Sequence, residues 1–143
     1  MIDAELVRRK LSRLNMYLEK LRPILDKTIE EYKGDFYLKS SAERLIQLIV
    51  ECAIDINNHV VVEMKNRPPE DYAVSFIKAA ETGLITMELA GQLKGSAGMR
   101  NILVHEYMDI DDEKVYQALS LTLKGYNEYL KQVDLFLDSP FTK

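Results

Sequence analysis

The sequence has a single cysteine, Cys52, among its 143 residues. One thiol can neither close an internal disulfide nor complete a cysteine metal site, and a chain without disulfides fits a reducing, intracellular setting. Proline and glycine are scarce, at four and six residues. No linker, low-complexity tract or internal repeat divides the chain, so one domain over residues 1–143 is expected. A chain of this length can bury about two thirds of the surface its unfolded form exposes, so stability requires no staple.

Long hydrophobic runs are missing too. The N-terminus, Met1-Ile2-Asp3-Ala4-Glu5, reaches no apolar run before Arg8-Arg9-Lys10, which excludes a secretory h-region and an acid-poor transit peptide. Leu45 to Ala53 is interrupted by Gln47 and Glu51, well short of the roughly 20 apolar residues of a bilayer span. The expectation is a soluble, cytoplasmic protein with no membrane partner. Positive charge is not in excess either: 19 Lys and Arg face 23 Asp and Glu, for a net charge of −4. That sign excludes coating nucleic acid through bulk charge, so any RNA contact has to be local.

What is present is helical periodicity. Val7, Leu11, Leu14, Leu18, Leu21 and Leu25 alternate steps of four and three, the stripe of one helix face. Asp3 is placed to cap this first helix and Gly34 to stop it, with Pro23 imposing a kink or break. A second helix is expected from Ser40, where Ser40-Ser41-Ala42-Glu43 has capping-box spacing, to about Asn66. Its interior, Leu45 to Val50 and then Ile54, Ile56, Val60, Val61, Val62 and Met64, is apolar on more than one face, as for a bundle centre or an interface. Pro68-Pro69 ends it. A short helix from about Asp71 to Glu81 follows, then a fourth from Thr86 toward Tyr107. A fifth runs from Asp111 to about Asp138, its first-turn carboxylates suited to the helix dipole. The fold class read from this pattern is all-α, an antiparallel bundle of about five helices.

Chemistry has few places to reside, because the chain has only two histidines. His105 falls in Gly98-Met99-Arg100-Asn101-Ile102-Leu103-Val104-His105-Glu106-Tyr107. At 100° per residue, Gly91, Gly95, Gly98, Ile102 and His105 share a face. Three glycines cost this helix about 3 kcal/mol relative to alanine, so a close helix approach has to offset them. Packing inside the bundle and contact between two chains both remain open. A phosphate-binding loop is excluded, since no Lys-Ser/Thr follows Gly95 and no strand precedes it.

Arg100 and His105 lie about 140° apart on an ideal helix. They converge only if the helix unwinds or if two copies meet. The plain reading is a solvated arginine and a helix-terminal histidine. The sharper one is RNA cleavage without a metal, His105 moving the proton of the ribose 2′-hydroxyl or of the leaving oxygen while Arg100 holds the phosphate. A two-fold dimer would supply a base and an acid from one sequence position. His59 is read as a buried structural residue bonded to Asp55 one turn away, and Cys52 as a small packed hydrophobe. Asp109, Asp111, Asp112 and Glu113 are read as a loop and a helix start. No ligand spacing for zinc or calcium is found, and no cofactor is expected.

The segment Arg100-Asn101-Ile102-Leu103-Val104-His105-Glu106-Tyr107 resembles the Arg-x4-His-x-Tyr motif of the HEPN superfamily, specifically HepT toxins of HepT/MntA toxin–antitoxin pairs. Ala42 to Gln47, Glu51 to His59, Gly98-Met99 and Asp109 to Asp111 extend the resemblance over most of residues 1–138. It implies a helical bundle forming a two-fold homodimer with a positive cleft and a metal-independent ribonuclease acting on RNA such as tRNA. It further implies Arg100 and His105 as catalytic pair, Asn101 as supporting polar residue, and Tyr107 as the site where an MntA-like nucleotidyltransferase antitoxin attaches AMP. Lys94 would join Arg100 and His105 in providing local positive field. The alternative function is a non-catalytic HEPN module that binds a nucleotide or docks on the nucleotidyltransferase.

Overall fold

The computed structural model describes residues 1–139. Helix α1, Ala4–Leu21, is capped by Asp3, whose carboxylate accepts the Leu6 N–H, and it buries Val7, Leu11, Leu14, Leu18 and Leu21. Of the kink or break expected at Pro23, the structure has the break, and the first helix does not continue to Gly34. A five-residue 3-10 turn, Arg22–Asp26, replaces it, because the proline ring lacks the donor the next turn requires. Ile24 keeps the apolar stripe going through that turn. A separate one-and-a-half-turn helix α2, Ile29–Lys33, then starts at a Thr28/Glu31 capping box and stops at Gly34. Six α-helices therefore stand among the described residues where five were expected.

Helix α3, Phe36–Lys65, opens one turn earlier than Ser40, at the cap Asp35, whose carboxylate accepts the Leu38 N–H. Ser40 and Glu43 consequently lie inside the helix, and their capping-box spacing has no capping role. The helix ends at Asn66 in the left-handed region (φ 61°). By length and composition alone α3 passes for a membrane span, yet 56% of its most apolar window is buried by the rest of the chain. It packs against each of the other five helices, which explains why its apolar surface exceeds one face.

Helices α4, Tyr72–Glu81, α5, Met87–His105, and α6, Asp112–Leu137, follow, capped by Asp71, Thr86 and Asp111. A buried polar knot registers α3, α4 and α6. Asn57 of α3 donates to Ser75 of α4 at 3.3 Å, and the Tyr129 hydroxyl of α6 lies 2.7 Å from Asn57 Oδ1 and 3.1 Å from the Ala53 carbonyl. Ser75 in turn donates to the Tyr72 carbonyl at 2.6 Å. Each of these buried groups finds a partner, which a low-dielectric interior demands.

His59 departs from expectation. It is half-buried, and its Nε2 accepts the backbone N–H of Asp3 at 2.9 Å, while Asp55 pairs with Lys10 at 3.1 Å. A neighbour one turn along the same helix was outcompeted by groups from α1. The acidic run behaves as a loop and helix start: Asp111 caps α6, Asp112 pairs with Lys39 and Glu113 with Lys33. Cys52 is buried, and burial pushes its thiol pKa up.

Candidate active site

Helix α5 carries the motif. Thr86 caps it by accepting the Leu89 N–H at 3.1 Å, and it stays α-helical through His105. Unwinding between Arg100 and His105 therefore does not occur. The two residues leave the helix about 140° apart and about 7.5 Å along its axis. His105 is the last helical residue, exposed, and its side chain makes no hydrogen bond or ion pair among the described residues. The backbone then forms a short 3-10 turn, Tyr107–Asp109. The side chain of Tyr107 lies outside what is described.

Arg100 is not solvated. Its Nε and Nη2 donate to Glu51 Oε1 at 3.1 and 2.8 Å, and its side chain is only 14% exposed. The guanidinium lies 5.0 Å above the Tyr72 ring, a cation–π contact. Its Nη1 donates to Asn101 Oδ1 at 3.3 Å, toward the exposed side. Glu51 from α3 thus grips one edge of the fork and Tyr72 from α4 one face. The third edge remains beside Asn101, where a planar guanidinium can still meet a phosphate oxygen.

Gly91, Gly95 and Gly98 are exposed, and a Cβ built on any of them meets nothing within 4 Å. Packing within the bundle does not require them. The helical glycine with a close neighbour is Gly125 of α6, where a Cβ would sit 2.8 Å from Leu93 Cδ2 of α5 and would make that side chain shift. The open face of α5 continues through Ile102, 40% exposed, to His105, with Lys94 exposed nearby. Among the described residues no cluster of three or more His, Cys, Asp or Glu is arranged to hold a metal ion.

A family model described as Ribonuclease HepT-like matches residues 14–133. The chain belongs to the HepT-like ribonuclease family. It is 35% identical over 136 residues to a tRNA nuclease HepT of Aphanizomenon flos-aquae, covering 95% of this chain and 92% of that protein. It is 31% identical over 100 residues to an mRNA nuclease HepT of Shewanella oneidensis, covering 70% and 75%. A tri-AMPylated HEPN toxin of Shewanella oneidensis, solved in complex with MNT antitoxin, superposes with a TM-score of 0.81 at 25% identity, over 94% of this chain and 99% of that one.

Within this HepT-like chain, the periodicity and motif spacing located Arg100, Asn101 and His105 on one helix. They did not reveal Glu51 or Tyr72, which lie 49 and 28 residues before Arg100 in sequence. A carboxylate interrupting the apolar run Leu45 to Ala53 was the one available signal for Glu51. A half-exposed charge in a central helix needs a partner.

Proposed function

We propose that this HepT-like chain is the ribonuclease toxin of a toxin–antitoxin pair, acting in the cytoplasm as one domain over residues 1–143. It cleaves RNA without a metal and is neutralised when an MntA-like nucleotidyltransferase attaches AMP to Tyr107. The observation that carries this reading is the anchoring of Arg100: two side chains from other helices fix the guanidinium and leave its Nη1 edge beside exposed Asn101. An arginine kept only for stability has no need of an open edge beside an exposed polar residue.

The reaction is a transesterification. Neutral His105 takes the proton of a ribose 2′-hydroxyl, that oxygen bonds to phosphorus, and the bond from phosphorus to the 5′-oxygen breaks. The departing oxygen takes a proton from a protonated His105, leaving a 2′,3′-cyclic phosphate and a 5′-hydroxyl. Arg100 holds the phosphoryl oxygens as charge builds on them. Because Arg100 and His105 diverge on a helix that does not unwind, the working site is assembled by a two-fold dimer through the open glycine face of α5, which places two copies of each residue around one cleft. An adenylate on Tyr107, two residues beyond His105, brings phosphate charge to the position where RNA phosphate binds, and so excludes it.

The deciding experiment is cleavage of total tRNA in EDTA by the parent and by folded His105→Ala, with product ends analysed. The expected result is cyclic phosphate ends from the parent and none from the variant. If neither protein cuts, and intact mass shows no adenylate on Tyr107, the ribonuclease reading is overturned. The non-catalytic module, in which Arg100 only grips a phosphate, then replaces it.

A further inference from the structure

The outer face of α3 leads away from Glu51 to a cleft that the cleavage chemistry does not use. Arg44 lies seven residues before Glu51, so the two point within about 20° of each other and stand about 10.5 Å apart along the axis. Arg44 is exposed and bonded to Gln47 Oε1 at 3.1 Å, the residue one turn before Glu51. Beside it, the end of α1 and the start of α3 enclose a cleft of about 590 Å³ lined by Lys20, Ser40, Ser41 and Arg44, with apolar walls that include Ile24 and Leu38. No carboxylate lines it. Neither Lys20 nor Arg44 is paired with a carboxylate among the described residues.

That composition is unusual for a chain of net charge −4. The groove between α5 and α6 also has two lysines, Lys124 and Lys131, but Glu88 and Glu128 line the same space and cancel them. In the α1/α3 cleft the two cations and two hydroxyls are matched to phosphate oxygens, and the apolar walls to the flat face of a base or a ribose. At roughly 3.4 Å per stacked nucleotide, 10.5 Å corresponds to about three nucleotides, and to fewer if the strand is extended.

We infer that this cleft is a second RNA subsite, holding a nucleotide of the same single strand up to about three units from the phosphate gripped by Arg100. It rests on the ribonuclease reading above, and it adds substrate length as a determinant of efficiency. The strand runs along α3 from Arg100 past Gln47 and Arg44. Lys20 and Arg44 neutralise its phosphates there.

The test compares a dinucleotide with a 12-nucleotide single strand, using the full-length protein, its Lys20→Gln/Arg44→Gln double variant, and Lys131→Gln as a control outside the cleft. The expected result is that the ratio of kcat/KM for the long over the short substrate falls about tenfold in the double variant, through KM, and is unchanged in the control. Binding of a 12-mer carrying 2′-deoxyribose at every position is measured against salt in parallel. Two lost phosphate contacts lower the slope of log affinity on log salt by about 1.4. An unchanged ratio and slope in the double variant overturn the subsite while leaving the ribonuclease reading intact. If the parent cleaves neither substrate, the ribonuclease reading fails, and the salt slope for the deoxy 12-mer still decides for or against the cleft.

Discussion

Glu51 holds Arg100 in place as much as it neutralises it. Removing it leaves a mostly buried guanidinium without its principal partner, a change whose cost is about 1–2 kcal/mol for a pair still one-third open on the acid side. Glu51→Ala is expected to lower thermal stability by that amount and to lower kcat for RNA by tenfold or more. Glu51→Gln, which keeps an acceptor for Nε, should recover part of the rate, and equal rates for the two variants would show that orientation is not the role. Glu43 is the opposite case. Burial first, and then the carboxylate of Asp112, hold its pKa above the ordinary value. A raised folded-state pKa means that the protonated form suits the fold, so the contribution is full below the unfolded pKa and is lost as pH rises through the folded one. Glu43→Gln is therefore expected to raise stability at neutral pH, with the gain shrinking as pH falls into the carboxylate range. Urea denaturation at several pH values reads this directly.

At the scale of elements, the glycines of α5 and α6 should respond in opposite ways. Gly125→Ala forces Leu93 to move, since their separation would be 2.8 Å, and should cost about 1–3 kcal/mol. Gly91→Ala meets open space and should add up to about 1 kcal/mol of helix stability to the isolated chain. Chemical denaturation of dilute protein separates the two. The sequence displayed the helices well because their stripes repeat at helical spacing, and Asp3 was legible as a cap and Thr86 and Asp111 as helix starts. The interruption at Pro23 was legible, but not the separate helix α2 beyond it, because Ile24 lets the 3-10 turn continue the stripe while its backbone changes type. The capping-box pattern at Ser40 was matched one turn inside a helix already capped at Asp35, since spacing alone carries no information about which of several polar residues lies outermost. Arg100 and His105 were legible as a local motif. Glu51 and Tyr72 were not, because only the packing of α3 and α4 against α5 brings them to the arginine.

For the whole molecule, the proposed two-fold assembly predicts that mass depends on the open face of α5. Gly98→Leu adds bulk where the chain itself has room, so the fold should persist while sedimentation shifts from dimer to monomer. RNA cleavage should disappear with the dimer. A monomer that still cleaves would mean that Arg100 and His105 serve one strand without a second copy.

The polar knot under Tyr72 also bears on the order in which the protein takes shape. Asn57 and Ser75 are 18 residues apart, whereas Asn57 and Tyr129 are 72 apart, and nearby partners meet with less loss of chain entropy. A chain growing from its N-terminus can therefore dock α4 on α3, setting Glu51 and Tyr72 in place, before the Tyr129 hydroxyl has been synthesised. Arg100 would then enter a holder already built, and α6 would lock the register afterwards. Pulse-labelled hydrogen exchange during refolding should show protection in α3 and α4 preceding that in α6, and simultaneous protection of all three would exclude this sequence of events.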